Sequence, residues 1–156
     1  MAIVSVTRQQ GYEPDEVLAA VRRVLEPLGG MGAFVKAGQR VLLKPNLLGP
    51  FAPEKAVTTH PAVVAAVARL CLEQGGMVRY GDSPGVGDPG FMARRCGLKA
   101  ALDPLGVELA DFTSPRLFED PSNAIGRRVE LAAALDDTDV LITLPKLKTH
   151  VQMAFT

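Results

Sequence analysis

Asp139-Val-Leu-Ile-Thr-Leu-Pro-Lys-Leu-Lys-Thr-His150 is the stretch on which the fold turns. Val140 to Leu144 is a short apolar run of the kind that fills a buried strand. It stops at Pro145 and passes directly into two lysines, a threonine and a histidine. Open α/β sheets hold ligands outside the carboxyl ends of their strands, so cationic groups placed there point to a site. An earlier run, Val41-Leu-Leu-Lys44-Pro45-Asn46, repeats the pattern. Two strands ending in a Lys-Pro or Pro-Lys pair predict one shared site for something anionic.

Working outward, Ala2 to Val6 reads as a short strand. Pro14, Asp15 and Glu16 suit a helix start, and Val17, Leu18, Val21, Val24, Leu25 and Leu28 follow helical spacing up to Gly29-Gly30. Arg40 to Leu43 is the second strand. Leu47 to Thr59, with Gly49, Pro50 and Pro53, is a long loop of the kind that carries function. Thr59 reads as the cap of a helix with Pro61 in its first turn and Val63, Val64, Val67, Leu70 and Cys71 on its buried face.

Met77 to Tyr80 is the third strand, and Gly81 to Gly90 a second loop. Short helices are expected over Phe91 to Arg95 and Leu98 to Leu102, and a strand over Val107 to Phe112. Thr113 to Gly126 reads as irregular, and Arg128 to Leu131 as a strand in an edge hairpin. Alternating strands and helices imply right-handed βαβ units. The expectation is a three-layer, Rossmann-like open α/β sheet, mainly parallel, with about five strands and helices on both faces. Residues 1–156 form one such domain.

Composition narrows the function. Of 156 residues, 47% are hydrophobic and 22% charged, which specifies a folded chain with a real core. Lys plus Arg and Asp plus Glu are both 17, so no basic face calls for nucleic acid, and with no Trp and few aromatics there is no base-stacking platform. Met1 to Arg8 lacks the basic and apolar regions of a signal peptide, and no apolar run reaches membrane-spanning length. A soluble cytoplasmic protein that engages neither membrane nor nucleic acid is expected. Cys71 and Cys96 stand far apart, outside any CxxC pattern, and read as buried structural thiols.

The chemistry-bearing residues cluster at the expected strand ends. Lys44 can pair with a phosphate or carboxylate that Asn46 orients, or can be a solvated lysine beside a turn. Thr58, Thr59 and His60 precede a helix, whose free N–H groups attract anions; the alternative is an ordinary cap with an exposed His60. Asp82 and Ser83 follow the third strand, where Asp82 either binds a metal or accepts a proton, or else belongs to a turn. Lys146, Lys148, Thr149 and His150 are the densest group. A strand continuing through Leu147 would set both lysines on one face, and His150 is placed to act as acid, base or ligand. Asp82 and His150 are thus the catalytic candidates, with Lys44, Asn46, Thr59, His60, Ser83, Lys146, Lys148 and Thr149 lining an anion site. The loop from Gly81 lacks the Gly-Lys-Ser/Thr ending of a Walker A motif, and the chain holds no HExxH. The acidic run Asp136, Asp137 and Asp139 lies at the wrong end of the last strand for a site and reads as a solubilising turn.

Val41-Leu-Leu-Lys-Pro-Asn-Leu, Thr58-Thr-His-Pro-Ala-Val-Val, Gly81-Asp-Ser-Pro-Gly and Leu144-Pro-Lys-Leu-Lys-Thr-His together resemble the family known as domain of unknown function 362. The resemblance covers most of the chain. It implies a redox setting, because members are often linked to a ferredoxin-like module carrying four-iron iron–sulfur clusters. This chain lacks a cysteine-rich segment, so such a cluster belongs to the full family context and is not bound here alone. Members continue past the Thr-His element, which makes the chain look like the N-terminal part of a longer protein, cut near Phe155-Thr156. The first functional expectation is a small-molecule or anion-binding domain of an iron–sulfur-linked redox protein, possessing an oxidoreductase-associated role. The alternatives are a non-enzymatic docking module for a ferredoxin-type partner and a nucleotide-binding enzyme.

Overall fold

The computed structural model describes residues 2–85, 87–122, 128–150 and 154–155. Helix α1 spans Pro14–Leu25 and runs into a 3-10 turn, Glu26–Leu28. Proline in its first turn and Asp15 and Glu16 beside it suit the positive end of the helix dipole. Strand β1 is Arg40–Pro45, α2 is Pro61–Glu73 and β2 is Met77–Tyr80. Two short helices follow, α3 at Pro89–Arg95 and α4 at Leu98–Leu102. Strand β3 is Glu108–Leu109, β4 is Pro115–Glu119, β5 is Arg128–Ala132 and β6 is Val140–Leu144. Thr149–His150 (β7) and Ala154–Phe155 (β8) form a small antiparallel pair.

The main sheet has four strands in the order β3-β2-β1-β6, and every pairing in it is parallel. This is a Rossmann-like open α/β fold. From β1 the chain steps to β2 and then β3 on one side, and later returns to place β6 on the other. The strand order therefore reverses between β1 and β6, the position where open α/β sheets form a ligand crevice.

Side chains alternate across each strand, and the core divides accordingly. Val41, Leu43, Val78 and Tyr80 face the large cluster built with Val17 and Leu18 of α1, Val64, Val67, Leu70 and Cys71 of α2, and Leu98 and Leu102 of α4. Leu42 faces the other way and packs with Ala110 and Ala134, backed by Phe112 and Leu135. Among the described residues, the helical layer on that second face is reduced to one 3-10 turn, Ala133–Leu135.

Several elements differ from expectation. Ala2 to Val6 is not a strand: both sides of β1 are already occupied, and Ile3, Val4 and Val6 stand 61%, 84% and 87% exposed. The strand expected over Val107 to Phe112 shortens to two residues, because only Glu108 and Leu109 register with β2. Pro115–Glu119, expected to be irregular, pairs antiparallel with β5 and forms a separate hairpin instead of joining the main sheet. Residues 123–126 of the expected irregular stretch, Val86 of the loop after β2, and Thr156 lie outside the described residues.

Candidate functional site

Three chain segments meet at the carboxyl edge of β1, β2 and β6. Strand β1 delivers Lys44, Pro45 and Asn46, with Lys44 in register with Thr143 of β6. Strand β2 ends at Tyr80 and turns through Gly81 into Asp82. Glycine fits that turn closely: a Cβ on Gly81 would meet the Phe112 ring at 2.5 Å, and the ring would have to move. Strand β6 ends at Leu144, and Pro145 leads out to Lys146. The expected continuation of β6 through Lys148 does not form, because proline cannot donate to a ladder. Extended alternation persists all the same, with Leu147 80% exposed between two half-buried lysines.

These ends enclose a cleft of about 390 Å³ lined by Lys44, Asn46, Asp82, Lys146, Lys148 and His150, together with Pro45, Leu48, Thr143 and Pro145. Asp82 is the one buried charged side chain among the described residues, at 7% exposure. Its two oxygens do different work. Oδ1 lies 2.5 Å from Lys44 Nζ, and Oδ2 accepts the Leu47 backbone N–H at 2.9 Å. The carboxylate therefore ties the floor of the cleft to the first residue of the long loop. Among the described residues, no three His, Cys, Asp or Glu side chains are grouped to hold a metal ion.

Thr59 does not cap α2. Its hydroxyl accepts the Asn46 N–H at 2.9 Å and donates to the Leu144 carbonyl at 2.5 Å, while its own N–H donates to the Asn46 carbonyl at 3.1 Å. One buried threonine thus closes the loop from Leu47 at its base and ties the exit of β1 to the exit of β6. The cap is His60, whose Nδ1 accepts the Ala62 N–H at 3.2 Å. Val63 and Val64 N–H both reach the His60 carbonyl, and Pro61 has no N–H. The first turn of α2 therefore spends its donors internally, and the expected contribution of free helix-start N–H groups to an anion cradle is removed.

With Nδ1 accepting, the proton of a neutral His60 ring sits on Nε2. Burial pushes its pKa down, and the charge of Lys146 adds to that while Glu54 opposes it. The ring stacks on Tyr12 with centroids 3.5 Å apart. Ser83 and Thr149 are exposed and stand outside the cleft lining. Sequence reasoning had no means to find Leu48 and Thr143, since their places depend on strand register. The buried Thr58 hydroxyl also escaped it; that oxygen has no hydrogen-bond partner among the described residues.

The cysteines do not fit an iron–sulfur cluster. Both Cys71 and Cys96 are fully buried and free, and burial pushes the Cys71 thiol up to about 11. Cluster ligation takes several converging thiolates, and these two thiols are held in the protonated form inside the helical core.

The family described as Domain of unknown function (DUF362) matches residues 41–156. A protein of Synechocystis sp. (strain ATCC 27184 / PCC 6803 / Kazusa) called thylakoid-associated protein sll1697 is 44% identical over 153 residues, 98% of this chain and 47% of that protein. The chain thus spans about half the length of this curated relative. No solved structure matches the chain. No helix among the described residues is long and apolar enough to cross a membrane.

Proposed function

This chain belongs to the DUF362 family, and from that premise we propose that it binds a small anionic ligand, a phosphate or carboxylate compound, in the cleft at the ends of β1 and β6. One observation carries the reading: Lys44 at the end of β1 and Lys146 and Lys148 just after β6, on the two sides of the reversal of strand order, line a single cleft with only Asp82 among the described residues to oppose them. Lysine supplies point charge on a flexible stem and holds an anion without demanding a fixed geometry. Lys44 is already neutralised by Asp82, so Lys146 and Lys148 provide the positive charge that a ligand first meets, and His150 at the wall is the group placed to give or take a proton. Asp82 serves as the internal counter-ion and as the anchor of Leu47.

In the redox setting implied by the family resemblance, this cleft is the substrate side of an iron–sulfur-linked protein, with the cluster held on other polypeptide. Titration of the purified chain with inorganic phosphate, pyrophosphate and citrate tests the binding step. Lys146→Ala with Lys148→Ala should weaken the best of these at least tenfold, and added salt should weaken it in the wild type. Equal affinity in the wild type and the double variant refutes the cleft as an anion site.

A further inference from the structure

The sheet ends on one side at β6, and among the described residues no strand pairs along its outer edge. An unpaired strand edge offers a row of N–H and C=O groups to an incoming segment. Beside this edge runs an apolar groove of about 520 Å³ between β6 and the helical layer. Val21, Val24, Phe34, Val63, Leu141 and Ile142 are among its lining, and Phe34 and Leu141 are 48% and 46% exposed. A strand edge next to a mostly aliphatic groove is an incomplete layer of an α/β sheet rather than a solvated surface, since exposed apolar patches of this kind mark docking sites.

Two further features point to the occupant. The classic doubly-wound sheet continues past the reversal of strand order with more strands on the far side, and that side is the one left open at β6. The matched 153 residues are 47% of the Synechocystis relative, so that protein carries at least as much polypeptide again. We propose that the outer edge of β6 and its groove receive a β-strand with an apolar face from the polypeptide that makes up the unmatched part of such a relative. This extends the sheet beyond four strands. Thr143 lines both the groove and the anion cleft, so the docked strand also walls one side of that cleft. The surface is separate from the lysines, and its occupation can be tested without any ligand.

The experiment is co-expression of this chain, tagged, with the unmatched part of the Synechocystis protein. A one-to-one complex by sedimentation is expected, with amide exchange at Val140 to Leu144 slowed at least tenfold relative to the chain alone. Leu141→Asp and Phe34→Asp, both at exposed positions that leave the core untouched, should abolish the complex while circular dichroism stays that of the wild type. A complex that survives both substitutions, or that leaves exchange in β6 unchanged, overturns the proposal. So does a chain that self-associates through this face, with Leu141→Asp making it monomeric, because the occupant is then a second copy. A co-expressed segment that stays insoluble beside the folded wild-type chain also counts against it, since docking would cover the segment's apolar face.

Discussion

Lys44 Nζ sits 2.5 Å from one oxygen of Asp82, while the other oxygen of that carboxylate holds the Leu47 amide. The same side chain therefore tempers the charge of the cleft and fixes the loop that borders it. Asp82→Asn separates the two roles, because an amide oxygen still accepts from Leu47 but no longer neutralises Lys44. Anion affinity should rise in Asp82→Asn as Lys44 is released. Asp82→Ala leaves the Leu47 N–H without its partner and should cost roughly 1–3 kcal/mol of stability, the usual range for an orphaned buried donor. Urea unfolding and phosphate titration of the two variants separate these effects.

Thr59 joins Asn46 to Leu144 through one hydroxyl that both accepts and donates. Thr59→Val keeps the shape and removes both bonds, leaving the Asn46 N–H and the Leu144 carbonyl unpaired in a half-buried place. A loss of roughly 1–3 kcal/mol is expected. Thr59→Ser retains the hydroxyl and should recover most of it. Chemical denaturation of the pair decides the point, since a threonine that merely capped α2 would cost less when replaced by valine than one that also ties two strand exits together.

The contrast between Thr59 and β6 shows what sequence reading reaches. Strands β1 and β6 are visible because short apolar runs end at proline, and α2 because its valines and leucines recur at helical spacing. Those are local patterns, and the structure keeps them. Thr59 is adjacent to a proline-started helix, so local logic makes it the cap; the cap falls to His60 because the Thr59 hydroxyl finds two backbone partners that are distant in sequence. The acidic run before β6 follows the same rule. Asp137 and Asp139 both bond Arg40, at the amino ends of β1 and β6, and the Arg40 guanidinium holds the Asp139 carboxyl down to about 2. Placing the run away from the site was legible; its clamp on Arg40 depends on strand pairing. Ala2 to Val6 has the composition of a strand, but pairing requires a free edge, which local composition does not report.

His60 gives the protein a pH dependence near neutrality. Its pKa is lowered in the folded state by burial, so below about pH 6.5, the ordinary value for histidine, the unfolded chain takes up a proton that the folded one resists. The contribution of this residue to stability is therefore full above that pH and is lost as pH falls through the lower folded value. His60→Asn supplies another good helix cap without a titrating ring. Thermal unfolding between pH 7 and pH 5 should fall less steeply in His60→Asn than in the wild type. An unchanged slope shows that the ring is not the group responsible.

Cys71 and Cys96 bear on whether a cluster can form within this chain. A thiol held up at about 11 carries about a hundredfold less thiolate at pH 8 than one at its usual value, and both sulfurs are fully buried as well. Cys71 Sγ donates to Met31 Sδ at 3.8 Å, and Cys96 Sγ donates to the Ala93 carbonyl at 3.7 Å. Neither thiol should react measurably with iodoacetamide in the folded chain over the time in which both are alkylated in urea. Mass spectrometry of native and unfolded samples reads the two sites separately. Fast native alkylation at either site would mean that the helical core opens around that cysteine, and the argument that these sulfurs are withheld from metal would then fail at that residue.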